Sequence, residues 1–288
     1  AGQATSTETR RAVETSGPPS IPGRSGLAQA LARLGASGVL AVRDVDCRRF
    51  FLRLPDLHWT ASETLSGSAC SVAPGVAVDP RFGLAAVEIG PNTVEVSSET
   101  WRYGFRGSSP AFTPDGTLTF VRAGRVYEWT VRCPAGAETV TFEGLRSLER
   151  CARPLDGVPP GVHELVWLGD DDYAAVVGPE GAASVVVVRD GRRLTLFTGV
   201  GSRIGALQPS PGGTYLAARI DTALALFRTD APGTRALPFG TGIVRGISWS
   251  PDERLAAIAT DSQLHVFRVE DPRHAVVLPV SAAAIRWR

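Results

Sequence analysis

One phrase recurs along the chain, and it constrains the fold more than any other feature of the sequence. Its clearest copy, at 247–269 (ISWSPDERLAAIATDSQLHVFRV), places a Ser-Pro-Asp turn and a polar turn between apolar stretches. The phrase starts again at Ala111 and Leu207, and in weaker form at Val76 and Leu165. Five copies of one supersecondary unit predict a repeat architecture, in which each unit buries its apolar face against the next.

Each copy reads as four strands. Matching prolines lie 34 residues apart at Pro80 and Pro114, and 40 residues apart at Pro211 and Pro251. Four strands in about 40 residues is the spacing of a β-propeller blade. Pro and Asp suit the first turn of such a unit, because Pro presets one backbone angle and Asp hydrogen-bonds its own backbone.

The two ends of the repeat region complement each other. The segment 282–288 (AAAIRWR) looks like a first strand with no unit after it, whereas the unit that begins at Gly38 lacks a first strand. Joining them completes six blades and leaves no open sheet edge. We therefore predict an all-β fold, a single six-bladed β-propeller of four-stranded blades over 38–288, closed by the C-terminal strand joining the first blade.

The residues before the repeats belong to a different class. Residues 1–25 are rich in Ser, Thr, Gly and Pro and poor in large apolar side chains, which predicts a disordered leader or linker. Such a leader is compatible with a membrane anchor upstream of Ala1. Residues 26–37 contain the helical spacing of GLAQALARLG, which predicts a short helix or cap on the propeller.

Charge and hydropathy narrow the range of partners. The formal net charge is +1, so the chain has no large basic field to meet a nucleic acid or an anionic membrane. No run of 18 apolar residues occurs, so we expect no membrane span in this chain. The partner that remains is a protein or a small molecule.

The four cysteines predict two disulfides. Cys47, Cys70, Cys133 and Cys151 include no C-x-x-C pair, and an even count in two local pairs favours an oxidising compartment. The alternative is four thiols in a reducing cytosol. Of the three connectivities, Cys47–Cys70 and Cys133–Cys151 keep each bridge within one blade, whereas the others would cross between blades.

The turn motifs also carry a family resemblance. The phrases FTPDGTLTFV, SPGGTYLAA and SWSPDERLAAIA resemble the WD-like repeats of TolB-type six-bladed β-propellers, with Pro114–Gly116 and Ser250–Asp252 at the motif. Two copies depart from it, since Asp79 precedes Pro80 and 167–172 has no proline. The resemblance implies an extracytoplasmic binding or scaffold module, although some members carry peptidase or lactonase partners or sites, so the fold alone decides little.

No catalytic or metal motif stands out. The four histidines have no ligand spacing, and no G-x-S-x-G occurs. Asp170–Asp172 reads as a solvated hairpin. The stretch 199–205 (GVGSRIG) resembles a Gly-rich phosphate loop, but no helix follows to supply the N-terminal dipole. We therefore expect no metal, no cofactor and no catalytic residues.

Two groups of residues are candidates for binding. The first group lies in the loops before first strands, which surround one mouth of a propeller channel: Ser108, His163, Arg203 and Arg245. The two arginines could bind an anion or carboxylate with paired hydrogen bonds, or be ordinary solvated loop residues.

The second group alternates aromatic and basic side chains in WRYGFR: Trp101, Arg102, Tyr103 and Arg106. Trp, Tyr and Arg anchor many interfaces, so this strand is either a surface hot spot or an outer strand whose rings pack on the next blade. Both interpretations stay open on the sequence alone.

These observations favour a non-catalytic, extracytoplasmic binding or scaffold module, either secreted or membrane-anchored. The alternative is a propeller enzyme, such as a lactonase or glycan-active hydrolase with a metal in its channel. Whether the protein is an enzyme is open, with a binding role favoured.

Overall fold

The computed structural model describes most of the residues of the chain. They are 18–44, 46–64, 77–79, 84–90, 92–98, 101–129, 140–142, 145–147, 151–179, 181–236 and 244–288. The predicted leader therefore lies outside the described residues up to position 17.

The described chain has one helix and a long series of short strands. In chain order they are α1 Arg24–Leu34, β1 Gly38–Arg43, β2 Arg48–Leu54, β3 His58–Thr64, β4 Ala77–Asp79, β5 Leu84–Gly90, β6 Thr93–Ser97, β7 Arg102–Arg106, β8 Ser108–Phe112, β9 Leu118–Arg122, β10 Arg125–Trp129, β11 Val140–Phe142, β12 Leu145–Ser147, β13 Arg153–Pro154, β14 Val162–Trp167, β15 Tyr173–Val177, β16 Ser184–Arg189, β17 Arg192–Thr198, β18 Ile204–Pro209, β19 Tyr215–Ile220, β20 Ala223–Arg228, β21 Thr234–Ala236, β22 Val244–Trp249, β23 Leu255–Thr260, β24 Leu264–Arg268, β25 Asp271–Leu278 and β26 Ala284–Trp287.

These strands form six sheets. Sheet 1 has the order β26-β1-β2-β3, sheet 3 has β8-β9-β10-β13, sheet 4 has β14-β15-β16-β17, sheet 5 has β18-β19-β20-β21 and sheet 6 has β22-β23-β24-β25. Sheet 2 has six strands in the order β4-β5-β6-β7-β12-β11. The prediction of four-stranded sheets therefore fails for sheet 2. The reason is an insertion between β10 and β13 whose hairpin pairs in parallel with β7, at Arg146 and Tyr103.

The repeated turn motif works through its hydroxyl. Ser250 Oγ donates to Asp252 Oδ1 at 2.6 Å and accepts from the Leu255 amide at 2.9 Å. Thr113 Oγ1 does the same in its own turn, accepting from the Thr117 amide at 2.9 Å. A side chain that satisfies the backbone in this way fixes the reversal between the first two strands of a unit.

The middle strands lack the alternation of a half-exposed sheet. All six residues of β23 and all five of β15 are buried. A strand that is apolar on both faces must have a neighbour on both faces. The sheets therefore stack side by side, each covering the next.

Shared hydrophobic clusters show which sheets are neighbours. Representative pairs within one cluster are Phe105 and Phe120 for sheets 2 and 3, Val126 and Leu165 for sheets 3 and 4, Val185 and Phe227 for sheets 4 and 5, Leu226 and Phe267 for sheets 5 and 6, and Leu264 and Leu40 for sheets 6 and 1. Sheets 2 to 6 thus follow one another in chain order, and sheet 6 packs against sheet 1.

The C-terminal strand β26 completes sheet 1. It pairs antiparallel with β1, with Leu40 opposite Trp287 and Arg43 opposite Ala284, as the sequence predicts. Trp287 also ties sheet 1 to sheet 6, because its amide donates to Ser248 Oγ at 2.7 Å. The first and last parts of the repeat region are therefore held in one sheet.

Helix α1 packs against sheets 6 and 1. Leu31 is fully buried in their shared cluster, and Arg268 Nε donates to the Leu34 carbonyl at 3.1 Å. Gly35 ends the helix with φ of 82°, a left-handed conformation that glycine adopts without strain. No helix in the described part of the chain is long and apolar enough to cross a membrane.

The described cysteines are Cys47, in the turn between β1 and β2, and Cys151, just before β13. Neither is a free thiol. Cys70 and Cys133 lie outside the described residues, so the predicted pairing stays a prediction.

Candidate ligand-binding face

Antiparallel order places two kinds of connection on the same side of the molecule. The chain enters each first strand on the side where the turn between the second and third strands also lies. Hydrogen bonds join these segments: Gly161 N donates to the Gly124 carbonyl at 2.8 Å, and Ser281 Oγ donates to the Asp261 carbonyl at 2.7 Å. We call this side the entry face; the Ser-Pro-Asp turns and helix α1 lie on the opposite face.

The first strands are irregular where they leave the entry face. Register shifts interrupt the pairing of β8, β14, β18 and β22 near their beginnings. Ser109 and Ala206 have φ of 50° and 53° at two of these shifts. A β-bulge removes backbone amides from the ladder, so those amides need other acceptors.

Carboxylates of the preceding sheets supply those acceptors. Glu88 Oε2 accepts from the Ser109 amide at 3.2 Å, which joins sheet 2 to sheet 3. Glu164 Oε1 accepts from the Leu207 amide at 2.6 Å, which joins sheet 4 to sheet 5. Each carboxylate therefore bridges one sheet to the bulged first strand of the next.

Glu164 has the most perturbed titration described in the protein. Burial raises its pKa to about 7, outweighing hydrogen bonds from the Leu207 and Ala206 amides and the charge of Arg219, while the charge of Glu88 adds to the increase. Sequence reasoning missed Glu88 and Glu164, because the bulges that they serve leave no mark in the repeat pattern. The only signal was their position next to the entry face.

The four residues predicted at the channel mouth lie where the first strands of sheets 3 to 6 begin, but in different registers: Arg203 precedes the first paired residue of its strand, whereas His163 and Arg245 follow theirs. Ser108 begins β8 and pairs with Val121, and His163 in β14 is exposed with its ring hydrogen-bonded to the Gly178 carbonyl. Arg203 lies just before β18, and Arg245 is the second residue of β22. The hydrogen bonds of His163, Arg203 and Arg245 run to segments of their own sheets, so the structure places the four around one face and not in a single cluster.

The two arginines differ in what their side chains contact. Arg245 Nε lies 2.6 Å from Asp261 Oδ1 in an exposed ion pair. At the equivalent place, Asp221 Oδ1 accepts from the Arg203 backbone amide at 2.9 Å instead. Within the described chain, the exposed Arg203 guanidinium has no hydrogen-bond or ion-pair partner. Of the two predicted anion-binding arginines, Arg203 is therefore the available one.

The loop before Arg203 carries a solvent-exposed apolar side chain. Val200 is 87% exposed, whereas its neighbours are held by two backbone hydrogen bonds: Gly199 N to the Ala183 carbonyl at 3.0 Å and Gly201 N to the Gly181 carbonyl at 2.6 Å. The other large hydrophobic side chains exposed in the described chain, Ile89 at 44% and Val277 at 37%, lie at strand ends on this same face.

The WRYGFR strand divides between packing and exposure. The Trp101 ring lies 4.9 Å from Tyr103 and 6.3 Å from Trp129 of sheet 3, so both rings contribute to the contact between sheets 2 and 3. Arg102 is exposed, 3.9 Å from Glu95, and Arg106 is exposed at the end of the strand. The two rings therefore pack on the next sheet, although β7 is not an outer strand because β12 pairs beside it.

Cavities lie on the opposite face. One of about 530 Å³ between sheets 5 and 6 is lined by Tyr215, Phe227, Arg228 and Glu270 among others. The described residues include no group of three His, Cys, Asp or Glu side chains arranged to hold a metal ion.

Comparison with known proteins identifies the fold. No family model and no curated protein matches the sequence. Among solved structures, TolB from Acinetobacter baumannii superposes with a TM-score of 0.55 at 15% identity, over 92% of this chain and 67% of that chain. Kuenenia stuttgartiensis hydrazine synthase aligns over 91% of this chain and 81% of that chain at 12% identity, but its TM-score of 0.47 is too low to support an argument.

The similarity to TolB confirms the resemblance that the turn motifs predict. The chain has an all-β fold of six sheets that resembles the β-propeller fold of TolB. An identity of 15% carries the fold and nothing about activity.

Proposed function

We propose that this protein is a non-catalytic binding or scaffold module that acts outside the cytoplasm and recognises its partner with the entry face of a closed six-bladed propeller. One observation carries the proposal: the three exposed large hydrophobic side chains of the described chain all lie on that face, together with an exposed arginine without an ionic partner. An exposed apolar side chain and an available guanidinium in one loop, Val200 and Arg203, are groups that can anchor a protein interface.

The opposite face carries the cavities, but no large hydrophobic side chain of the described residues is exposed there. Helix α1 covers sheets 6 and 1 there, and the turns are occupied by their own hydrogen bonds. For example, Glu253 Oε1 accepts from Ser210 Oγ and from the Gly212 amide, both at 2.5 Å. A carboxylate in two hydrogen bonds within the protein is a structural element of the turn and is not available to a ligand.

A photo-crosslinking experiment tests the choice of face. Benzoylphenylalanine replaces Ser202 on the entry face or Asp190 on the opposite face of the full chain, and each variant is irradiated in an extract of the source organism. We expect a discrete adduct from position 202 that excess unlabelled protein competes away, and none from position 190. No competable adduct at 202, or the same adduct from both positions, would contradict the proposal.

The closed ring of six blades is part of the same proposal. It is supported by five shared hydrophobic clusters between consecutive sheets and by the pairing of β26 with β1. Deleting 282–288 should open the ring, expose a sheet edge and cause aggregation. A truncated protein that stays monomeric with an unchanged melting temperature would show that the ring is not closed in this way.

The location outside the cytoplasm rests on two proposed disulfides, Cys47–Cys70 and Cys133–Cys151. The observation that supports them is that neither Cys47 nor Cys151 is a free thiol. Peptide mapping of the non-reduced protein, made in an oxidising compartment, should recover both linked peptides. Free thiols at all four positions would overturn the pairing and the location together.

A further inference from the structure

The loop that enters sheet 5 has the properties of a preformed anchor. Its two glycines suit the conformation: Gly201 has φ of 75°, which favours glycine, and a Cβ on Gly199 would crowd the Phe197 ring at 3.1 Å and Ile204 at 3.2 Å. The backbone between them is hydrogen-bonded to the neighbouring turn, as described above. Val200 is thus presented to solvent from a fixed loop, and a preformed contact loses little entropy on binding.

Arg203 extends this anchor with a charge. Its backbone is fixed by the Asp221 turn, since its amide donates to Asp221 Oδ1 at 2.9 Å and its carbonyl accepts from the Asp221 amide at 2.7 Å. In sheet 6, Asp261 Oδ1 accepts a hydrogen bond from the side chain of Arg245, whereas in sheet 5 Asp221 Oδ1 accepts one from the backbone of Arg203. Among the described residues the guanidinium has no partner, so its donors are available to a ligand. A guanidinium binds a carboxylate with two parallel hydrogen bonds.

The spacing of the two groups restricts what can bind both. Val200 and Arg203 are three residues apart, so their Cα atoms are separated by at most about 10–11 Å. An extended peptide covers that distance in about three residues. A carboxylate and a large apolar side chain on neighbouring positions of one strand-like segment would therefore reach both groups.

We propose that the loop 199–203 is the anchor for an extended polypeptide segment of the partner, in which an Asp or Glu side chain meets Arg203 and an apolar side chain within three residues of it meets Val200. This inference rests on the proposed binding function and names its partner class. A simple phosphate ligand would use Arg203 but would leave the exposed Val200 without a role.

The test uses the full chain and synthetic peptides. Fluorescein-labelled nonapeptides carry one Glu and one Leu, one to four positions apart in the sequence, in a Gly/Ser/Ala background. Binding is followed by fluorescence anisotropy at low and moderate salt. Only peptides with both residues at a spacing of up to three should bind. Affinity should fall about tenfold or more in Val200→Ser and in Arg203→Gln, and change less than about twofold in Arg245→Gln, because that arginine is already paired.

A charge reversal separates recognition from misfolding. Arg203→Glu should lose the Glu peptides and gain the matching Lys peptides, a switch that an unfolded protein cannot produce. Thermal melting checks that each variant folds. The inference is overturned if no peptide binds, if peptides without Glu bind equally well, if inorganic phosphate alone displaces every bound peptide, or if the variants bind like the parent.

The two proposals fail in different ways. If the position-202 adduct persists in Val200→Ser and Arg203→Glu proteins, the entry face still binds a partner but this loop is not its anchor. If no adduct forms at position 202 and no peptide binds, both proposals fail.

Discussion

Sheets 5 and 6 are neighbouring copies of one repeat, yet the arginine at the entrance of the first strand has a different role in each. In sheet 6, Arg245 and Asp261 neutralise one another through their side chains at 2.6 Å. In sheet 5, the equivalent Asp221 binds the backbone of Arg203 and leaves the guanidinium exposed. The strand order of the two sheets is the same.

The difference shows where specificity arises in a repeat fold. The turn hydroxyls Ser210 and Ser250 set the same reversal in both sheets, each accepting from a backbone amide at 2.9 Å. Residues that shape turns must recur, because every unit needs the turn. The segments at the entry face need no common residue. The arginine of sheet 6 can therefore form an ion pair within its own sheet, while the arginine of sheet 5 stays available to a partner.

The largest expected effect on stability concerns Trp287, the residue of β26 that packs against sheet 6. Replacing Trp287 by Ala should destabilise the protein by about 3–5 kcal/mol, since it removes a large buried ring. Chemical denaturation measures the free energy of unfolding. Val277→Ala, at an exposed position of sheet 6 itself, is the control and should change the free energy by less than about 0.5 kcal/mol. Equal effects would mean that β26 does not support sheet 6.

The second prediction concerns Glu164 of sheet 4, whose carboxyl group accepts a hydrogen bond from the first strand of sheet 5. The pKa of Glu164 is raised from 4.5 to about 7, so the folded protein retains a proton that the unfolded chain releases. The contribution of Glu164 to stability therefore falls as pH rises from 4.5 to 7, by at most about 3 kcal/mol, and is constant on either side. Glu164→Gln should remove this dependence. Parallel stability–pH curves for the two proteins would show that Glu164 does not titrate as described.

The third prediction compares the two turn serines. Ser250→Ala and Ser210→Ala should each cost about 1–3 kcal/mol, because each leaves a backbone amide without its hydroxyl acceptor. Ser210→Ala should also raise the pKa of Glu253, because the Ser210 hydroxyl donates one of the two short hydrogen bonds that this carboxylate accepts. The exposed Ser262 serves as control, and its replacement by Ala should be silent. A Ser210 variant as stable as the parent would remove this shared element from the comparison.

The smallest effect bears on the two arginines themselves. A double-mutant cycle of Arg245→Gln and Asp261→Asn should give a coupling of about 0.2–1 kcal/mol, the usual range for an exposed ion pair. The same cycle with Arg203→Gln and Asp221→Asn should give none, because their side chains are not paired. A coupling of equal size in both sheets would abolish the distinction between them.

The sequence predicts the order of strands and turns because these elements depend on residues that are close together in the chain. The Ser-Pro-Asp turn at 250–252, the apolar second strands and the complementary ends at 38 and 288 each follow from propensity and spacing. The extra hairpin of sheet 2 could not be foreseen, because nothing in residues 140–147 says which sheet edge they join. That choice depends on where the insertion lies in space.

The candidate site was only partly predictable for a similar reason. Position in the repeat places Arg203 and Arg245 at one face. Whether the backbone or the side chain of each arginine meets the aspartate 18 or 16 residues further on depends on the local register, which the repeat pattern does not give. The glycine-rich sequence around Val200 does not indicate that this side chain is exposed. The hydrogen bond that Glu164 accepts depends on a β-bulge in the neighbouring sheet. These features come from tertiary contacts, to which the periodicity of a sequence is insensitive.

Arginine modification with phenylglyoxal, followed by peptide mass spectrometry, tests the central claim most directly. The claim is that sheet 5 presents a free guanidinium at the entry face and that sheet 6 does not. Arg203 should react several times faster than Arg245 in the folded protein, and Asp261→Asn should raise the rate of Arg245 to that of Arg203. Equal rates in the parent protein, or a faster reaction at Arg245, would contradict the account.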